Sequence, residues 1–281
     1  RRRFEVRARD AHGRAVAPGQ VEPMSDPSPA PFVKRRSDAP DDFYAWEAAG
    51  LGWLSKGAAA GGASVVGVRE VGERHIVLDR VGEAPSTAAA AEAFGRALAA
   101  THAQGAASFG AGPPGWRGNG YIGRQELVLR SFPRWGEFYA QTRVLPYALA
   151  ARRVGNLDDA ELRQVERLSS ALLAGEYDDG RPPARIHGDL WGGNVLYSAR
   201  GAVLIDPAAH GGHGLTDLAM LALFGTEHLD RVAAAYAESA ELPAGWPDLI
   251  GLHQLHPLLV HAVSHGASHG RRAVALARQY R

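Results

Sequence analysis

Short runs of apolar residues near the start of the chain are typical of β-strands. Four runs have this pattern: residues 4–10, 32–36, 64–68 and 75–78. Between the second and third runs, apolar and small side chains recur at steps of three and four residues: Phe43, Trp46, Gly50 and Leu54. The Asp38–Asp42 stretch suits the start of a helix there. This part of the chain therefore predicts a small antiparallel sheet with one helix.

The pattern changes to long amphipathic helices after Gly82. Two apolar stripes at helical spacing show it: Phe94, Leu98 and His102, then Leu162, Val165, Leu168 and Leu172. A strand-like run at 203–205 interrupts them. We place the boundary at 80–85, so that 1–82 form a sheet-rich N-lobe and 83–281 a mainly helical C-lobe. Residues 11–31 are rich in Gly and Pro and predict a long loop.

The strongest chemical signal lies between His187 and Asp206. Asp189 is followed five positions later by Asn194, and the strand-like run at 203–205 ends at Asp206. This is the spacing of the kinase catalytic loop and of the metal-binding Asp that follows it. Phosphoryl transfer needs one carboxylate to accept the acceptor's proton, and oxygen ligands to hold Mg²⁺.

We therefore assign Asp189 as the catalytic base, Asn194 and Asp206 as magnesium ligands, and His187 as a residue that positions the loop. The competing interpretation is a Gly-rich turn whose Asp and Asn only satisfy backbone donors. That interpretation has to explain several aligned features at once.

A cation for the ATP phosphates is predicted at Lys34, which ends a strand-like run. Glu47, on the predicted helix, stands in the order of the glutamate that pairs with the kinase strand lysine. The run from Ile76 to Val81 would then lead to the adenine site, with Leu78 and Asp79 offering backbone groups. Solvated surface charges and an ordinary sheet strand are the plainer alternatives.

Composition removes several other classes of function. Lys and Arg total 31 against 30 for Asp and Glu, so nothing favours binding to nucleic acid or to an anionic membrane. The chain has no Cys, which excludes disulfides and thiolate metal sites and is compatible with the cytoplasm. The longest apolar stretch, 218–224, is too short to span a bilayer. We expect a cytoplasmic protein, and oligomeric state stays open.

The chain resembles the fructosamine kinase (ketosamine-3-kinase) family, within the aminoglycoside-phosphotransferase-like and protein-kinase-like superfamily. The resemblance rests on these segments: 32–34, 119–123, 135–138, 187–194, 204–208, 212–213, 217–220 and 223–225. It implies an α+β bilobal protein-kinase-like fold, the cofactors ATP and Mg²⁺, and phosphorylation of a sugar hydroxyl of ketosamines, free or protein-bound. The phosphorylated adduct falls apart, which links the family to deglycation.

Two further residues take roles from this resemblance. Asp217 is similar to the family's Asp that supports the catalytic loop through hydrogen bonds. Trp191, next to the base in sequence, could offer an apolar face to a sugar ring, although a buried core Trp is the alternative.

The sequence departs from the family pattern in two places. Residues 1–31 contain no compact Gly cluster, so we expect the first strand and the phosphate loop to be absent from this chain. The family's charged residues before Asp217 are here Gly214, Leu215 and Thr216. The tail carries histidines at helical spacings, for which a helix that lines the cleft or packs beneath it is a simpler explanation than metal binding: His253, His256, His261, His265 and His269.

Two other functions remain open. A kinase of the same superfamily with another acceptor, such as an aminoglycoside or choline, would share most of these residues. A pseudokinase that only binds nucleotide or a partner would fit the missing Gly-rich loop, but it would not need the intact set of catalytic residues.

Overall fold

The computed structural model describes residues 30–280, so the predicted strand at 4–10 and nearly all of the predicted loop 11–31 lie outside the described residues. The first described elements are β1 (Phe32–Arg35) and α1 (Phe43–Ser55), followed by β2 (Ser64–Val65), β3 (Val68–Gly72) and β4 (His75–Leu78). Strands β1, β4 and β3 form an antiparallel sheet in that order. The predicted helix and antiparallel sheet are confirmed.

The predicted strand at 64–68 is wrong in its extent, because the chain changes partner at Gly67. Ser64 and Val65 pair in parallel with Val203 and Leu204, whereas β3 pairs with β4. A Cβ at Gly67 would lie 2.1 Å from the Asp79 carboxylate, so a larger residue there would require this side chain to move. The single run therefore divides into two short strands that belong to different sheets.

The part of the chain from residue 83 to 280 is mainly helical. Its helices are α2 (Ala88–Ala103), α3 (Trp135–Phe138), α4 (Leu145–Arg153), α5 (Asp159–Ala174), α6 (Leu215–Phe224), α7 (Leu229–Ser239), α8 (Ile250–His253), α9 (Leu255–Ser264) and α10 (Ala267–Ala277), with a π-helical segment at Tyr139–Val144. Its strands are β5 (Gly120–Ile122), β6 (Gln125–Leu127), β7 (Ala184–Ile186), β8 (Val195–Ser198), β9 (Gly201–Leu204) and β10 (His210–Gly212). The small sheet and the helical remainder confirm the predicted fold class.

Local sequence explains where the long helices begin and end. Thr87 caps α2 by accepting a hydrogen bond from the Ala90 amide, and Asp158 forms a capping box with Glu161 at the start of α5. Gly175 ends α5 in the left-handed conformation, with φ of 85°. The stripes predicted on α2 and α5 are buried, with Leu162 at the margin of the second.

Two hydrophobic clusters hold the helical part together. One surrounds α4, α5 and α9, and the other packs α2, α6 and α7 against Leu190 and Leu204. Leu190 follows Asp189 directly, so the loop that carries the predicted base is anchored in the second core. None of the helices described between residues 30 and 280 is long and apolar enough to cross a membrane.

Candidate active site

Two hairpin-like pairings bring the predicted catalytic residues to one place. β7 pairs with β10 and β8 pairs with β9, so the loop 187–194 and the segment after β9 leave the same region of the C-lobe. The Ile205 amide donates to the Asn194 carbonyl at 3.1 Å, and the Ala208 amide donates to the His187 carbonyl at 3.0 Å. These backbone bonds set the loop beside Asp206.

Helix α1 approaches the same segment closely, and Gly50 makes the approach possible. A Cβ at Gly50 would lie 3.1 Å from Pro207 Cγ and 3.3 Å from Ala209 Cβ. The helix therefore rests directly on the chain that follows Asp206, and Glu47 lies on the side of the loop where Asp206 is found.

Lys34 joins the two halves of the site. Its Nζ lies 2.8 Å from Glu47 Oε2 and 2.7 Å from Asp206 Oδ1, a residue 172 positions further along the chain. Burial alone would lower the pKa of Lys34, but the two carboxylates outweigh burial and raise it. Burial also raises the pKa of Glu47. One cation for two carboxylates leaves a surplus of negative charge at this point.

Asp189 lies half-buried between Asp206 and Asp217. Burial, followed by the charges of those two carboxylates, raises the pKa of Asp189 to about 7. Asn194 is buried and its Nδ2 donates to the Asp189 carbonyl at 2.7 Å. Because the amide nitrogen is used in this way, Oδ1 is the atom that Asn194 can offer to a metal.

His187 is buried behind the loop rather than facing the cleft. The Asp189 amide donates to its Nδ1 at 3.3 Å, so the proton sits on Nε2, which donates to the Ile205 carbonyl at 2.8 Å. Burial lowers the pKa of His187, which keeps the ring neutral. The ring thus links the residue before Asp206 to the amide of Asp189, and its role in positioning the loop stays a prediction.

Asp217 holds the beginning of the loop from below and is completely buried, with 0% exposure. Its carboxylate accepts hydrogen bonds from the amides of His187 at 2.7 Å and Gly188 at 2.9 Å. Burial alone would raise the pKa of Asp217, but the hydrogen bond and charge of His102, followed by the loop's contributions, lower it. The predicted supporting role suits these contacts.

Sequence reasoning did not find the residues that support Asp217 in turn. His102 Nε2 lies 3.0 Å from Asp217 Oδ2, and His102 Nδ1 lies 2.8 Å from the Tyr236 hydroxyl. His102 was placed only on an apolar stripe of α2. A histidine at an otherwise apolar helix position was the one available signal, and its partner on α7 lies 134 positions away.

Trp191 is 45% exposed, so it is not the buried core residue of the alternative interpretation. It lines a cavity of about 450 Å³ that also reaches Asp189. A Cβ at Gly193 would lie 2.2 Å from the indole ring, so the glycine lets the ring lie flat over the loop. Three further lining residues, Ile122, Met220 and Phe224, come from segments that carry the family resemblance, and two, His261 and His265, belong to the tail histidines.

The predicted adenine contacts are only partly available. Leu78 is buried in the core of the N-lobe, and the Asp79 amide donates to the Gly67 carbonyl at 2.8 Å. The Asp79 carboxylate pairs with Arg69. The Asp79 amide is therefore used within the sheet, and a role for Leu78 and Asp79 in adenine binding stays a prediction.

The tail histidines divide into two sets. His253 and His256 are buried in the C-lobe, whereas His261, His265 and His269 cluster where α9 meets α10. Within residues 30–280, no group of three or more His, Asp or Glu side chains has the arrangement of a metal site.

Comparison with a solved structure establishes the fold. A thermostable mutant of the aminoglycoside phosphotransferase APH(4)-Ia superposes with a TM-score of 0.54 at 18% identity, covering 85% of this chain and 84% of that one. This fold, together with the family match, places the chain among protein-kinase-like phosphotransferases that act on a hydroxyl group. More particularly, the chain belongs to the fructosamine kinase family, which it matches over residues 9–280.

Individual relatives agree with this family. A Thermobifida fusca crystal structure, assigned as a fructosamine-3-kinase, is 48% identical with a TM-score of 0.80, covering 88% of this chain and 84% of that one. A Thermus thermophilus protein assigned as a ketoamine kinase is 32% identical over 230 residues, 82% of this chain and 79% of that protein. The ketosamine-3-kinase of Mus musculus is 32% identical over 128 residues, 45% of this chain and 40% of the mouse protein. The predicted resemblance is confirmed.

Proposed function

We propose that the protein transfers the γ-phosphoryl group of ATP to a sugar hydroxyl of a ketosamine, using Mg²⁺, and so contributes to deglycation. The observation that carries this proposal is the contact of Lys34 with both Glu47 and Asp206, beside a loop that presents Asp189 and Asn194. Family membership and the predicted site residues support the same reaction.

The donor set fits magnesium. Asp206 and Asn194 offer a carboxylate and an amide oxygen, the hard ligands that Mg²⁺ prefers, at a point with surplus negative charge. Bound there, Mg²⁺ would neutralise charge on the phosphates. Lys34 would add a second positive charge for the phosphates, and Glu47 would keep its ammonium group in place.

Asp189 would accept the proton of the acceptor hydroxyl as the hydroxyl oxygen bonds to the γ-phosphorus. The bond from that phosphorus to the bridging oxygen then breaks, and ADP leaves with the electron pair. A base works best when its pKa lies near the working pH, and the pKa of Asp189 is raised to about 7. The neutral His187 would hold the Asp189 amide throughout.

The acceptor cavity favours a sugar over a cation. Trp191 and Phe224 offer apolar faces next to Asp189, and the volume of about 450 Å³ lies within the range of small-molecule sites, roughly 300–1,000 Å³. Among the described residues that line it, Asp189 is the only carboxylate, whereas an aminoglycoside carries several ammonium groups and would need an acidic lining. A ketosamine suits this lining better than an aminoglycoside.

The test is direct phosphorylation. The protein is incubated with Mg²⁺-ATP and a panel containing a fructosyl-amine, a ribulosyl-amine, an aminoglycoside and choline, and the phosphate is located by ³¹P NMR. We expect the ketosamines to be modified on a sugar hydroxyl, and Asp189→Asn to lower turnover by about two to four orders of magnitude. Asp230→Asn, on the exposed start of α7, is the matched control. Absence of any Mg²⁺-dependent turnover would favour a pseudokinase, and efficient turnover of another acceptor alone would reassign the substrate.

A further inference from the structure

Imidazole rings form part of the wall of the acceptor cavity. His261 and His265 line the cavity that Asp189 and Trp191 also line. Their ring centroids lie 4.7 Å apart, and the ring of His269 lies 5.1 Å from His261. Phe224 packs against His261 at 4.9 Å and fixes the position of that ring. The imidazoles therefore form an ordered surface of the cavity.

Basic side chains outnumber carboxylates around these rings. The described cavity lining contributes Arg124 besides the two imidazoles, and its one carboxylate belongs to Asp189 on the loop. Arg124 is mostly exposed and pairs with Asp38 at 3.0 Å. Behind the cavity, His269 faces Arg272 rather than an acid. The imidazole wall thus has no carboxylate beside it among the described groups that line the cavity.

The histidines are held ready to donate hydrogen bonds. Burial, followed by the neighbouring His265 and His269, lowers the pKa of His261 to about 4, and no hydrogen bond contributes to this shift. His265 Nδ1 is engaged with Ser264 Oγ at 2.8 Å, which leaves Nε2 as the ring atom available to a ligand. Burial and the two neighbouring imidazoles keep His261 uncharged at neutral pH, and a bound anion would favour its protonation.

We propose that His261 and His265 bind an anionic group of the acceptor, so that the preferred substrates are ketosamines of amino acids or short peptides that keep a carboxylate near the sugar. This inference rests on the proposed function and adds the substrate class. The sugar lies between Asp189 and the Trp191 ring, and the amino-acid part extends toward α9. The carboxylate accepts hydrogen bonds from the ring N–H groups of the two imidazoles.

The experiment compares two acceptors that differ only in charge: fructosylglycine and its neutral amide, fructosylglycinamide. We expect kcat/KM to favour fructosylglycine by about tenfold, the ordinary effect of a hydrogen bond to a charged group. In His261→Phe, which keeps a ring against Phe224, and in His265→Phe, that preference should fall towards one, mainly through a higher KM for fructosylglycine. His228→Asn is the control, because Asn tolerates the left-handed backbone there, with φ of 54°.

Each outcome decides the matter. An unchanged preference in both histidine variants, with unfolding temperatures close to wild type, overturns the inference. Equal use of both adducts by the wild type overturns the inference and leaves the proposed function standing, whereas turnover of neither overturns both. A third acceptor, the 6-phosphate of fructosylglycinamide, separates the two sources of an anion. If it is preferred over fructosylglycine and depends on His261, the anion belongs to the sugar and the carboxylate assignment is wrong.

Discussion

Replacing Asp217 with Asn tests how strongly the catalytic loop depends on one buried carboxylate. Oδ1 accepts from the Gly188 amide at 2.9 Å, while Oδ2 accepts from the His187 amide at 2.7 Å and lies 3.0 Å from His102 Nε2. An Asn side chain has one acceptor oxygen and an NH₂ group, so at least one buried donor loses its partner and faces another donor.

The magnitude follows from these contacts. A buried donor left without a partner costs about 1–3 kcal/mol. Loss of the charge does not offset this cost, because the lowered pKa of Asp217 shows that its partners stabilise the ionised form by more than burial disfavours it. The unfolding temperature should fall by roughly 2–12 °C. Gly188 and Asp189 would shift together, and a displacement near 1 Å costs on the order of a hundredfold in kcat.

The assay pairs thermal unfolding with steady-state kinetics on the same preparation, and Asp230→Asn serves as control because its carboxylate is 82% exposed. Asp217→Asn should lose both stability and kcat while the KM for ATP changes little. A variant with the stability and turnover of the wild type would show that the loop holds its shape without this carboxylate, and the supporting role would be wrong.

Three further predictions concern the nucleotide side. In the protein without metal, ¹³C carboxyl NMR should show the pKa of Asp189 near 7, so the base is protonated below that pH. Asp206→Asn should lower the pKa of Asp189 because it removes a like charge, and an unshifted pKa would contradict the interaction between the two carboxylates. Lys34→Met should raise the KM for ATP, and Glu47→Gln should raise it less; unchanged values would remove the pair from the phosphate site. Asn194→Ala and Asp206→Ala should weaken Mg²⁺-dependent turnover, the second more severely, as a magnesium titration of the rate would show.

The site residues could be found from sequence where their relations are local. Asp189 and Asn194 lie on one short loop, and their spacing together with Asp206 after the next strand indicates kinase chemistry. Lys34 lies on β1 and Glu47 on the helix that follows, so the order of the two residues along the chain predicts their pairing. The structure brings all four together with Asp206.

The remaining features depend on contacts between distant segments. His102 and Tyr236 support the loop only because α2 packs on α7, which periodicity cannot reveal. The division of the 64–68 run depends on pairing with β9, far along the chain, and local pattern carries no information about that partner. The exposure of Trp191 likewise depends on how the loop 187–194 lies in the folded chain and not on its own residue type.

The pairing of β2 with β9 ties the two halves of the fold together. The Val66 amide also donates to the Leu204 carbonyl at 3.0 Å, and the Ala84 amide donates to the Tyr197 carbonyl at 2.8 Å. A C-terminal fragment made without β2 would present β9 as an unpaired edge, a ready template for association with other chains. The two halves should therefore unfold in one cooperative transition. An exchange of one half of the chain between relatives should give a folded protein only when Ser64–Val66 comes from the same relative as the β8–β9 hairpin with which it pairs.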